Sequence, residues 1–183
     1  MYIVERKMSN NFSCGCMLPK NTKEPTFKAS KYFEDLSASF AINTKQEQLT
    51  AHYSWLVQLR RDLPTTSIPY IEATLEHPSR RSEPLVVPAM ELAQTDPHAA
   101  PFPSRRFYVL SPALAGVQCG LYSMRLTAYA DRSKTKVLAT HENEILSRVN
   151  TETCFRDEFM RAMGEMEKSQ GWEEADKRKN GKK

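Results

Sequence analysis

The 183-residue sequence predicts a mainly α, single compact helical domain with an irregular proline-rich middle and a minor β element. Three observations carry this expectation. Apolar residues recur at steps of three and four over several stretches, the period of one helix face. Ser or Thr stands where three of those stretches begin, at Thr44, Ser67 and Ser111, as a helix N-cap requires. Nine of the eleven prolines fall between 64 and 112 and break that region into short pieces.

Residues 1–6 read as a short strand through Tyr2, Ile3 and Val4, and 8–26 as loop, so 1–26 forms an N-terminal strand and loop arm. A first helix is expected over 27–41, where Phe27, Tyr32 or Phe33, Leu36 and Phe40 make an apolar stripe. A second is expected over 44–62. There Thr44 and Glu47 have capping-box spacing, and Leu49, Tyr53, Leu56, Leu59 or Arg60, and Leu63 follow at helical steps, widened by Trp55. A short helix over 67–76 takes Ser67 as cap and turns Ile71 and Leu75 inward. Six prolines divide 77–104 into an ordered wrapping loop that covers Leu85, Val86, Val87, Met90 and Phe102, with a helical turn or two at Ala89–Gln94. Residues 106–110 read as a strand.

Two periods compete over 112–130. Tyr122, Met124, Leu126 and Ala128 alternate as on a strand, whereas Leu114, Val117, Leu121, Met124 and Ala128 repeat as on a helix. The helical pattern is longer and follows Ser111-Pro112, so it is preferred. Gly116 and Gly120 then share one helix face and allow a close crossing, at a cost of roughly 1 kcal/mol each relative to Ala. Helices over 134–149 (Leu138, Ile145 and Val149 inward) and 153–168 (Phe155, Phe159, Ala162, Met163 and Met166) complete a helical domain spanning 27–172. Residues 173–183 form a flexible basic tail.

The net charge of +4 hides an uneven layout. The last seven residues carry five bases and no acid, 142–176 hold ten acids against four bases, and 105–137 hold six bases against one acid. Such segregation points to an anionic partner. On the expected 112–130 helix, Tyr122, Arg125 and Tyr129 share a side, and Arg132, Lys134 and Lys136 extend it. The arginines and lysines would bind phosphate and the tyrosines would stack on bases. Lys177, Arg178 and Lys179 in the tail would add electrostatic attachment.

The sequence carries no strong catalytic signature. His52, His77, His98 and His141 have no histidine partner at i+4, and no serine stands in a nucleophile-elbow context. His141 beside Glu142 or Glu144 is the nearest approach to an acid–base pair. Cys14 and Cys16 are separated by one residue, too close for an ordinary zinc pair. Neither metal nor cofactor is expected. Cys119 and Cys154 read as buried free thiols. No apolar run reaches the ~20 residues that span a bilayer, and 1–10 lack a secretory apolar core. The expected location is cytoplasmic. The expected function is a non-enzymatic, nucleic-acid-associated accessory or regulatory protein. The alternative is a protein-interaction adaptor or inhibitor acting through a helical face, with Trp55, Tyr70, Met163, Met166 and Trp172 as adaptable contacts. A helix face would also serve a homodimer.

Overall fold

A computed structural model describes residues 22–45, 49–66, 68–92 and 105–169. Among them the chain forms strands β1 (Phe33–Asn43), β2 (Thr50–Leu59), β3 (Tyr70–Leu75), β4 (Leu85–Pro88), β5 (Met90–Leu92), β6 (Arg106–Leu110), β7 (Gly120–Tyr129) and β8 (Val137–Ser147), then helix α1 (Arg156–Ser169). All strand pairs are antiparallel. They make two four-stranded sheets, ordered β1-β2-β6-β5 and β4-β3-β7-β8. Lettered along the chain as A, B, C, C′, D, E, F and G, these are the ABED and C′CFG sheets of an immunoglobulin-type Greek-key sandwich.

The mainly α expectation is therefore wrong, and each misread stretch shows why. In β2, after buried Thr50, the buried residues are Ala51, Tyr53, Trp55, Val57 and Leu59, which alternate. The three-and-four pattern had included Leu56, which faces outward on the strand. In β1 the register shifts between Asp35 and Ser37. This bulge moves the inward set from Phe33 and Asp35 to Ala38, Phe40 and Ile42, so Phe33, Leu36 and Phe40 imitate helical spacing. The expected helix at 67–76 is β3. Ala89–Gln94 gives β5 over its described part, and 134–149 contains β8. For 112–130 the alternating reading was the physical one: Tyr122, Met124, Leu126 and Ala128 all face the core. Gly116 and Gly120 have φ of +73° and +150°. They serve left-handed turns leading into β7 instead of a helix crossing. The strand at 106–110 is as expected; the helix expected over 153–168 is present as α1, but Phe155 and Met163 of its expected core stripe are exposed. The N-terminal strand expected over 1–6 and the tail expected over 173–183 lie outside the described residues, as do all of 1–21 and 170–183.

The inner faces bury Trp55, Tyr53, Phe33, Leu75, Met124 and Leu126 almost completely. Each such side chain contributes roughly 1.5–3 kcal/mol through removal from water. Among these apolar groups sits one carboxylate. Asp35 Oδ1 accepts from Trp55 Nε1 at 2.7 Å and lies 3.0 Å from His141 Nε2; its Oδ2 accepts from Asn143 Nδ2 and the Lys28 amide, both at 2.7 Å. Trp55 comes from the same sheet as Asp35, whereas His141 and Asn143 come from β8 of the other. The cluster thus ties the sheets where β1 and β8 approach. The His141 ring stacks on Trp55 at 5.8 Å. Glu142 and Glu144, proposed partners of His141, point from the opposite face of β8 because side chains alternate.

Cys119 and Cys154 are disulfide-bonded, correcting the free-thiol expectation. Cys119 immediately precedes β7, and Cys154 precedes α1.

Two outcomes follow. Replacing Asp35 with Ala removes the acceptor of several buried hydrogen bonds and should lower unfolding free energy by about 3 kcal/mol or more, since each buried donor left unsatisfied costs roughly 1–3 kcal/mol; urea denaturation reads this directly. Native protein alkylated without reductant should carry no adduct on Cys119 or Cys154 by peptide mass spectrometry. Reduction should permit labelling of both and cost about 2–4 kcal/mol per lost bridge.

Candidate binding site at the loop end

Strand register places the β2–β3 connection (60–69) and the β7–β8 hairpin (130–136) at the same end of the sandwich. Tyr70, first in β3, pairs with Tyr129, last in β7. Both project outward, with ring centroids 6.4 Å apart and planes 29° from parallel. The hairpin then folds cations back over Tyr70. The Arg132 guanidinium lies 5.8 Å and the Lys134 ammonium 5.4 Å from its ring centroid, within cation–π range. Lys134 Nζ is also 2.6 Å from Glu72 Oε2. Hydrogen bonding to that carboxylate raises the Lys134 pKa.

Local sequence explains the hairpin. Asp131 Oδ1 accepts from the Ser133 amide at 2.8 Å and from its hydroxyl, an Asx turn. These bonds lower the Asp131 pKa. Lys134 adopts φ of +59°, a left-handed conformation that a residue with a Cβ visits at a cost of roughly 1–2 kcal/mol. The Ala130 amide closes the turn on the Lys136 carbonyl at 2.9 Å. Lys136, Arg61 and Arg132 are exposed. Ile68 at this end is 87% exposed. The assembly is an aromatic pair flanked by Arg61, Arg132, Lys134 and Lys136, by the acids Asp62, Asp131 and Glu72, and by one exposed aliphatic group.

Four of the sequence-predicted residues, Tyr129, Arg132, Lys134 and Lys136, share this hairpin and its root. Tyr122 and Arg125 do not join them. Arg125 pairs with Glu142 at 2.7 Å on the outer face of β7 and β8. Tyr122 is 4% exposed. Its hydroxyl donates to the Gln118 carbonyl at 3.0 Å and accepts from the Gln118 amide at 2.9 Å. That is the tyrosine corner expected at the start of an F strand, so its predicted stacking role is replaced by a structural one. Lys177, Arg178 and Lys179 lie outside the described residues. Of the proposed adaptable contacts, Trp55 is core, Tyr70 is at the site, and Met163 is exposed on α1. Trp172 and the Met166 side chain are not described. Glu72 was missed, although an acid alternating with inward Ile71 and Ala73 was a readable signal.

Two further concavities among the described residues are lined by residues that form no reactive constellation. A groove of about 830 Å³ crosses the outer face of the β4-β3-β7-β8 sheet. Its Arg125 meets Glu142, and its Arg81 meets Glu76 at 3.0 Å. A cleft of about 290 Å³ lies between β1 and β8 beside Phe27, Phe40 and Ile145. The Asp35–His141 pair is sealed from solvent, with side chains 0% and 2% exposed. No group of three or more potential ligands among the described residues is arranged to hold a metal.

Burial raises the phenol pKa of Tyr53 and Tyr122, with nearby Glu76 adding to the shift of each. Below the ordinary tyrosine value of 10.0 both phenols are neutral in folded and unfolded chains alike. Above it the unfolded chain ionises first, so stability falls as pH rises. Absorbance at ~295 nm just above pH ~10 should show Tyr53 and Tyr122 un-ionised until alkaline unfolding releases them.

No protein-family model, curated protein or solved structure matches this chain.

Proposed function

We propose that this chain is a non-enzymatic recognition module that binds an anionic protein partner through its loop end. The observation that carries the proposal is the Tyr70–Tyr129 pair under Arg132 and Lys134, with Ile68 exposed beside it. Tyr and Arg are the residue types that dominate protein-binding energetics, because they offer large contact area with a polar edge. Here they stand on loops carried by a rigid sandwich. The exposed cations Arg61, Arg132 and Lys136 favour an acidic surface. This retains the adaptor alternative but moves its contact surface from a helix to the loop end.

Nucleic-acid association is the second reading, favoured by the same cluster of cations. It is less well supported, since Arg125 and Lys134 meet carboxylates of their own chain. Tyr70 also packs against Tyr129 and carries both cations near its ring, which limits stacking on a base. The bonded state of Cys119 and Cys154 favours an oxidising compartment over the cytoplasmic expectation.

Titrations with polyglutamate and with single- and double-stranded oligonucleotides across a salt series test both readings. Saturable polyglutamate binding should weaken about tenfold in Arg132→Ala, equivalent to roughly 1.4 kcal/mol. Preferential oligonucleotide binding with a steep salt slope would transfer the proposal to the second reading. Absence of binding to either polyanion, or affinity indifferent to Arg132→Ala, would contradict an anionic partner at this site.

A further inference from the structure

The Cys119–Cys154 disulfide presents its two ends unequally. Cys154 is 2% exposed and packs with Leu49 and Phe159 in a small cluster apart from the main core. Cys119 is exposed. It stands next to Gly120, whose φ of +150° turns the chain into β7. A Cβ added at Gly120 would meet no described atom within 4 Å beyond its chain neighbours. Solvent therefore reaches the bridge from the Cys119 side.

The segments that carry the two cysteines are held together without the bridge. The Thr151 amide donates to the Val117 carbonyl at 2.8 Å, and the Val117 amide donates to Thr151 Oγ1 at 2.9 Å. Thr151 Oγ1 donates in turn to the same Val117 carbonyl at 3.2 Å, and Thr151 is fully buried. Gln118 Nε2 donates to Glu152 Oε2 at 3.1 Å. Tyr122 Oη meets both the amide and the carbonyl of Gln118. Opening the sulfur–sulfur bond thus leaves Cys154 buried and close to Cys119.

We propose that Cys119 is a site of reversible S-thiolation, at which a small-molecule thiol exchanges with the Cys119–Cys154 disulfide in the folded chain. A thiolate attacks a disulfide sulfur in line with the bond that breaks. For Cys119 that line runs outward, away from its buried partner and into solvent. For Cys154 it comes from within the protein. The attacking sulfur bonds to Cys119 Sγ as the Cys119–Cys154 bond breaks. The electron pair leaves on Cys154 Sγ, which takes from water the proton that the small thiol released. The reverse step is attack by Cys154 Sγ on Cys119, which expels the small thiol. One disulfide is lost for each one formed, so no external oxidant is consumed. Such exchange suits an oxidising compartment, where thiols and disulfides coexist. The site lies at the Gly120 end of β7, opposite the end that carries Tyr129 and the loop-end cations.

The same exchange can be run from the protein-thiol side. Glutathione disulfide is added to the full chain carrying Cys154→Ser or Cys119→Ser, and adducts are assigned by peptide mass spectrometry. Cys119 in the first variant should be modified roughly a hundredfold faster than Cys154 in the second, which must wait for local opening. Both variants lose the same bridge, so lost stability acts on both alike, and far-UV circular dichroism should show both folded. Equal rates, or faster modification of Cys154, would overturn the inference. A second measurement starts from the intact bridge: dithiothreitol reduction of the unsubstituted chain, read by alkylation, at urea concentrations below the unfolding transition. The rate should stay constant, because attack takes place on the folded chain. A rate that climbs with urea in step with global unfolding would refute exchange at an exposed sulfur.

Discussion

One buried carboxylate sets the geometry of this sandwich. Asp35 receives bonds from its own sheet, from the facing sheet and from the Lys28 amide that precedes β1. Burying its oxygens without donors would cost roughly 1–3 kcal/mol for each unsatisfied group; distributing its lone pairs over these donors offsets that cost. The bonds also fix which residues of β1 and β8 meet. A one-residue slip of β8 would turn His141 and Asn143 to solvent and leave Asp35 unsatisfied. The bulge beside Asp35 then returns β1 to alternation, so Ala38, Phe40 and Ile42 complete the core.

Only part of this was readable along the chain. The β6 strand and the final helix had unambiguous local patterns. Alternation was visible in Tyr122, Met124, Leu126 and Ala128, but leucines and valines at intervening positions supplied a longer competing period. In β2, outward Leu56 joined true core residues in a false helical stripe. In β1, the bulge itself erased the period of two. A proline and glycine distribution that interrupts the middle of the chain suits short strands and Greek-key connections as well as a wrapping loop. Asp35 stood among apolar neighbours, and an inward acid is recognisable only when its partners, more than a hundred residues away, are in place.

The predicted site fared differently from the predicted fold. Arg132, Lys134 and Lys136 lie within one turn in any structure, so their proximity did not depend on a helix. Tyr70 reached them through strand pairing with Tyr129. Arg125 and Tyr122 were lost because alternation sends adjacent side chains to opposite faces, one to meet Glu142 and the other into the core. The sandwich thereby separates a sheet face of internally paired charge from a loop end rich in aromatic and cationic groups. Fold order alone assigns no activity; it is this separation that supports recognition.

The central claim is that Asp35 joins Trp55 of one sheet to His141 of the other. Nuclear magnetic resonance of the native chain tests it most directly. The account predicts nuclear Overhauser contacts between the Trp55 indole and His141 imidazole, and a Trp55 indole proton as protected from exchange as the slowest backbone amides. A rapidly exchanging indole with no contact to His141, as separate exposed helices over 44–62 and 134–149 would produce, would contradict it.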